Sequence, residues 1–186
     1  MRSNLLLVLL MAAAPAAAMA QSAQPAPATQ TPEEVAIISA LQRVCFPLSR
    51  GAKVDTVAAA SGLRQENGQW VLPIRGPEQI VVTPPDFSNP TVCTATITYD
   101  PAQDNQLVGV IDSWAKTQTP PLKAVKVKAP ESGPVMQRLT SSWQALGPKE
   151  TDGVVLSQEK TLQGQPVDGK LDQAELLVSV TPTKPS

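Results

Sequence analysis

The sequence predicts a single α+β domain, an antiparallel sheet with two or three helices on one face. Three observations predict it. The apolar period switches from helical to strand-like and back along the chain. The segment Thr91–Tyr99 alternates, with Cys93, Ala95, Ile97 and Tyr99 on one side and Thr94, Thr96 and Thr98 on the other; such a sheet packs on one face and is wet on the other. The length, 186 residues, leaves room for one domain plus tails.

The chain opens with a secretory pattern. Met1-Arg2-Ser3-Asn4 is a short basic region, Leu5–Met11 is wholly apolar, and Ala18-Met19-Ala20 before Gln21 fits a small-x-small cleavage site. Residues 1–20 therefore read as a signal peptide and the protein as periplasmic or secreted. A retained anchor is the alternative; Pro15 and an apolar run of about 16 residues, short of the roughly 20 that span a bilayer, argue against it. No membrane span is expected after cleavage. Residues 21–30, QSAQPAPATQ, carry no charge and no large apolar group, so they read as a disordered Ala/Pro/Gln linker. Residues 31–181 form the folded domain and 182–186 a flexible tail.

Within the domain, Thr31-Pro32-Glu33-Glu34 starts a helix with a cap, an N1 proline and a capping-box glutamate. Val35, Ile38, Leu41 and Cys45 set its apolar stripe, Ile37 and Val44 widen it, and Pro47 is expected to end it. A second helix runs from Asp55 to a Gly62 stop. After a turn at Glu66-Asn67-Gly68 come strands Trp70–Ile74, Gln79–Thr83 and Thr91–Tyr99. Asp100-Pro101-Ala102-Gln103 restarts a helix whose stripe is Leu107, Val108, Ile111, Trp114 and Ala115, stopped by Pro120-Pro121. Strands at Val125–Lys128, Val135–Trp143, Val154–Lys160 and Ala174–Thr181 complete the domain, the last two forming a hairpin around Leu162–Asp172. The order suggests an internal α-βββ repeat that equates Trp70 with Trp143, Ile80-Val81-Val82 with Val154-Val155-Leu156, and Thr91–Tyr99 with Ala174–Thr181. Shared α+β grammar would look similar.

The composition excludes whole classes of chemistry. Histidine is absent, which removes Ser-His-Asp and Cys-His catalysis, His-ligated metals and a histidine pH switch. A formal charge of −1 and 3% aromatics give neither a field nor a stacking platform for nucleic acid. Removing Arg2 with the leader lowers the basic count from 15 to 14 against 16 acids, a charge of −2.

The cysteines are two, both on inward faces of an exported chain, so Cys45 and Cys93 read as one disulfide. A redox pair is the alternative, but there is no Cys-x-x-Cys. Ser113-Trp114-Ala115-Lys116 and Ser157-Gln158-Glu159-Lys160 match Ser-x-x-Lys, in which a lysine one helical turn away activates a serine; the first lies at a helix end and the second on a strand. Gly164–Glu175 carries Asp168, Gly169, Asp172 and Glu175 at calcium-loop positions, yet Gly164 and Pro166 stand where two ligands belong. Asp100, Asp104 and Asp112 read as a cap and a solvated helix face. Lys123, Lys126 and Lys128 read as charge on a sheet edge, with a mild anionic contact site as the alternative. Trp70, Trp114 and Trp143 could line a groove for a sugar or peptide, with core pillars as the alternative; Trp114 reads as core, and Trp70 and Trp143 are kept as candidate contacts for a ligand or partner. No catalytic, metal or cofactor residue is assigned.

The segments CFPLSRG, GLRQENGQWVLP, NPTVCTATITYD and QLVGVIDSWAK, together with the leader, resemble small exported proteins of alphaproteobacteria of unknown function. The resemblance implies a periplasmic address and brings no site residue with it. The expected function is a non-catalytic envelope protein that binds another protein or a small ligand. The alternative is a small periplasmic hydrolase using Asp/Glu or Ser/Lys.

Overall fold

Helix formation begins where the sequence signals it. The Thr31 hydroxyl accepts the Glu34 N–H at 3.3 Å, and the Thr31 N–H donates to Glu34 Oε2 at 3.0 Å. In the computed structural model, which describes residues 30–167 and 170–183, α1 (Pro32–Ser39) continues through a π-helical stretch, Ala40–Cys45, into α2 (Phe46–Ser49). The expected leader, nearly all of the linker and the last three residues lie outside the described residues.

The buried stripe is rotated from the expected one. Glu33, Ala36, Ile37, Ala40, Leu41, Val44 and Cys45 turn inward at the i, i+3, i+4 spacing of one helix face. Val35 is 51% exposed and Ile38 only partly covered, correcting the expected stripe. Nor does Pro47 stop the helix; it sits in the first turn of α2, where its missing N–H is tolerated.

α3 (Val54–Ser61) has Lys53 rather than Asp55 at its N-cap and closes on Gly62, whose φ of 79° needs a residue without Cβ. A strand the sequence reading omitted, β1 (Arg64–Glu66), turns into β2 (Gln69–Pro73) through Asn67 and Gly68, both at positive φ as a two-residue hairpin requires. β3 (Gln79–Thr83) and β4 (Val92–Tyr99) follow. The Asp100 carboxylate accepts the Ala102 N–H at 2.9 Å and opens a short 3₁₀ turn that leads into α4 (Asp104–Thr117). β5 (Lys123–Ser132), β6 (Met136–Leu146), β7 (Glu150–Thr161) and β8 (Asp172–Pro182) complete the chain.

All eight strands make one antiparallel sheet in the order β1-β2-β3-β4-β8-β7-β6-β5. Two four-stranded meanders, each preceded by helix, thus meet along β4 and β8. The strands equated in the sequence occupy equivalent places, β2 with β6, β3 with β7 and β4 with β8, and β1, the one strand added to those expected, takes the place opposite β5. Register strengthens the correspondence. Trp70 pairs Val82, which pairs Ala95, which pairs Leu176; Trp143 pairs Val154, which pairs Val178, which pairs Cys93. These two rungs flank the Thr94–Leu177 pair and exchange under a two-fold through it.

The helices cover one face, and a single core fills the layer between: Leu41, Val44, Ile111 and Trp114 against Ile80, Ile97, Leu156 and Leu176. The other face carries the half-buried threonines of β4. β5 is a sheet edge with two register shifts, and Lys123, Lys126 and Lys128 lie along it, a combination that blunts pairing with other chains.

Cys45 on the π stretch and Cys93 on β4 form the expected disulfide, with Cα atoms 5.2 Å apart and both residues fully buried. It ties the helical layer to the middle of the sheet. Closing a 48-residue separation stabilises the fold by about 4 kcal/mol in the chain-entropy model. Cys45→Ser should therefore lower unfolding free energy by a few kcal/mol, and adding Cys93→Ser should cost little more, because the first change already opens the loop. Denaturant unfolding of the two variants measures this; additive losses would contradict it. Trp114→Ala, emptying a position 5% exposed, should cost about 3–5 kcal/mol by the same measurement.

Candidate functional site

Strand alternation drives polar side chains into the core at one end of the sheet. Along β7, Val154, Leu156, Gln158 and Lys160 all face inward, and Lys160 is 3% exposed. Its ammonium is held by Asp104 at the start of α4 and by Asp172 at the start of β8. The Tyr99 hydroxyl donates to Asp104 Oδ1 at 2.6 Å, and Gln158 Nε2 donates to Tyr99 Oη at 3.1 Å and Asp104 Oδ1 at 3.2 Å. Burial, then the hydrogen bond to Asp104, pushes the Tyr99 phenol well above its ordinary range. Burial also raises Asp172, only partly offset by Lys160, and its Oδ1 has no partner. The cluster is closed and self-paired, and its chemistry is structural.

A second set of charges pins α1 to the β2–β3 turn. Arg75 Nε lies 2.6 Å from buried Glu33 and 3.5 Å from buried Glu78. Burial opposes ionisation of Glu33, but its backbone hydrogen bond, Thr31 and Arg75 outweigh it and hold the carboxyl below its usual value. At the far end of the helical layer Arg50 bonds Glu150 and Asp152 at 2.8–2.9 Å and lies 5.1 Å above the Phe46 ring.

The helical face carries an open groove of about 580 Å³ between α1 and its π extension on one side and α4 on the other. Glu34, Ile38 and Gln42 step one turn at a time along the first wall; Gln106, Val110 and Trp114 do so along the second. Gly109 leaves room on the α4 wall, since a Cβ there would meet nothing within 4 Å. A second concavity of about 310 Å³ shares Gln42 and Trp114 and reaches Phe46, Arg50 and Asp152. Both volumes are in the range of ligand sites or just at its lower bound. The groove lining holds one charged side chain, Glu34, whose carboxylate accepts the Thr31 N–H, while Arg50 in the neighbouring concavity is paired with Glu150 and Asp152. Trp114 packs on Phe46 with ring centres 5.7 Å apart. Its indole N–H is buried and has no acceptor among the described residues.

The structure separates the residues that the sequence placed together. Trp143 is 1% exposed, and its N–H donates to Asp112 Oδ1 at 3.0 Å, so it is a core pillar with no face for a ligand. Trp70 is half-buried and packs on the core rather than into the groove. Asp104 and Asp112 are not a solvated face: the first serves Lys160, the second Trp143 and Lys116. Hydrogen bonds from Lys116 and then Trp143 hold the Asp112 carboxyl below its usual value. Of the Ser-x-x-Lys pairs, Lys116 turns to Asp112 at 2.6 Å, and Ser157 lies on the outer face while Lys160 is buried on the inner one. The calcium-like loop has Asp168 and Gly169 outside the described residues; Asp172 and Glu175 fall on opposite faces of β8. Among the described residues no group of three or more Asp, Glu, Cys or His could hold a metal.

Two sites escaped the sequence reading. Lys160 had a visible signal, a lysine at an inward strand position after Leu156 and Gln158. The groove had none, because it lies between helices whose neighbouring in space is set by the sheet. What these features define is an open-faced α+β domain with a groove on its helical side. No family model, curated protein or solved structure matches the chain.

Removing Lys160 leaves the buried Asp172 and the half-buried Asp104 without their cation. Lys160→Ala should destabilise the fold by about 3–5 kcal/mol, measured by denaturant unfolding. Asp172→Asn removes the acid that burial disfavours. Because the folded-state value of Asp172 lies above the ordinary 3.8, the wild type should lose stability relative to this variant as pH rises above 3.8. Melting temperatures of the two proteins across mildly acidic to neutral pH test the sign; parallel curves would refute it.

Proposed function

We propose that this chain is an exported binding module, acting in the periplasm or outside the cell, that holds its ligand in the groove between α1 and α4. The single observation that carries the proposal is the contrast between that groove and the charged clusters. The groove is open and of ligand size, with Glu34 the one charged side chain in its lining, whereas Lys160, Lys116 and Arg50 are each committed to carboxylates elsewhere. Ser113 lines the groove, and Lys116 of its Ser-x-x-Lys motif is paired with Asp112 instead. A concave, mixed lining with a few polar groups suits recognition rather than bond cleavage. The leader pattern and the buried disulfide support an oxidising compartment. No helix among the described residues is long and apolar enough to cross a membrane.

Mass spectrometry of protein recovered from an envelope fraction should show an N-terminus at Gln21, and retention of Met1–Ala20 would overturn the assignment. The groove is tested by filling it. Gly109→Leu puts a good helix former where space is open, so the variant should fold with an undiminished melting temperature. A ligand captured by the wild type and not by this variant supports the groove; equal capture by both removes it from the reading.

A further inference from the structure

We infer that Lys160 and Asp172 condense into a side-chain amide, an isopeptide cross-link between β7 and β8, with Asp104 as the acid–base group. The strands bring the partners together. Lys160 and Asp172 each lie two residues beyond the Gln158–Ala174 pair and face inward with it, so they are opposite neighbours on one face of the hairpin. Lys160 is the one buried lysine among the described residues, and its Nζ contacts Oδ2 of Asp172 and Oδ2 of Asp104. A nucleophile, an electrophilic carbon and a carboxylate are thus held in contact by the fold, which makes the condensation intramolecular.

The surroundings favour an amide over an ion pair. Lys160 and Asp172 are 3% and 1% exposed, and two ions there carry a desolvation cost that a neutral amide does not. Asp172 Oδ1 has no donor among the described residues, so the carboxylate is held by Lys160 alone. Burial raises Asp172 towards its neutral acid, the form open to nucleophilic attack. Tyr99 and Gln158 both donate to Asp104 Oδ1 and leave its Oδ2 for Lys160. The Asp104 side chain is 30% exposed, so the released water has a way out.

The step needs no co-reactant. Asp104 takes a proton from the Lys160 ammonium, and the amine lone pair attacks Cγ of Asp172. The Nζ–Cγ bond forms and one Cγ–O bond breaks. That oxygen leaves as water with two of the three ammonium protons, one of them delivered by Asp104, which ends as it began. The dry core then protects the bond from hydrolysis. The ion pairs and the pH comparison with Asp172→Asn describe the chain before this step.

Mass spectrometry of the folded chain, held at neutral pH until its mass is constant, tests the inference. The protein should weigh about 18 Da less than the disulfide-bonded chain, the mass of one water. In a chain beginning at Gln21, cyclisation of that residue removes ammonia, about 17 Da, so the loss must be located. Trypsin should fail to cut after Lys160 and should yield residues 150–170 joined to residues 171–186. Lys160→Arg keeps the charge without a condensing amine; it should retain its full mass and be cut after position 160. Asp104→Asn keeps the oxygen that Tyr99 and Gln158 reach, and should slow linkage by about a hundredfold or more. Melting curves separate loss of linkage from loss of fold in the variants, and the wild-type mass decides the case by itself if a variant does not fold. A wild type of full mass, or a loss of water mapped to another peptide, overturns the inference. Linkage of Asp104→Asn at the wild-type rate overturns the role given to Asp104.

Discussion

The pairing of β4 with β8 is the constraint on which the rest of the molecule depends. Every other strand pair joins sequence neighbours, which can close as local hairpins. β4 and β8 come from different halves of the chain and match over eight residue pairs, from Val92–Ser179 to Tyr99–Asp172. That closure has the largest loop entropy to overcome, and its return is the centre of the core, where Cys93, Ala95 and Ile97 meet Leu176, Val178 and Ala174. Small side chains on this part of β4 let the π stretch approach, and the disulfide from Cys45 fixes it there.

The buried polar cluster follows from the same pairing. Because Tyr99 is opposite Asp172, the two bring a phenol and a carboxylate to the sheet end where Gln158 and Lys160 arrive on β7. Asp104 then completes the set from the first residue of α4. A one-residue slip of β7 would turn Lys160 to the outer face and leave Asp172 bare in the core. The ionic set thus discriminates against wrong registers, whatever its net contribution to stability.

The groove is also a product of this architecture. Two helix-then-meander halves related by a two-fold through Thr94 and Leu177 place their helical segments side by side over one sheet. Two helices resting on a common sheet leave a furrow between them. Its chemistry depends on the outward residues, Gln42 and Gln106 among them, with Gly109 keeping it open. A fold of this kind says little about function, so the functional reading stands on those residues.

Much of the fold was legible in the sequence because it rests on local signals. The capping box at Thr31, the Gly62 stop, the Asn67-Gly68 turn and the two-residue period of Thr91–Tyr99 each act within a few residues. The inward positions of Cys45 and Cys93 followed from the same periods, and with the export that the leader pattern predicts they implied the disulfide. Neither the π stretch nor the face α1 turns to the sheet was legible, since both depend on how the helix seats on the sheet; Val35 was assigned to the wrong face. The roles of Trp143, Asp104 and Asp112 were equally hidden, because each depends on a residue more than twenty positions away. Local dihedral preference and hydrophobic period are properties of a short stretch of chain, so the sequence by itself determined the elements, their order and the bridge. Which helices lie side by side, which charges neutralise one another and where a groove opens were decided only by the long-range closure of β4 on β8, because no local segment encodes the distance between residues that meet only after the sheet has formed.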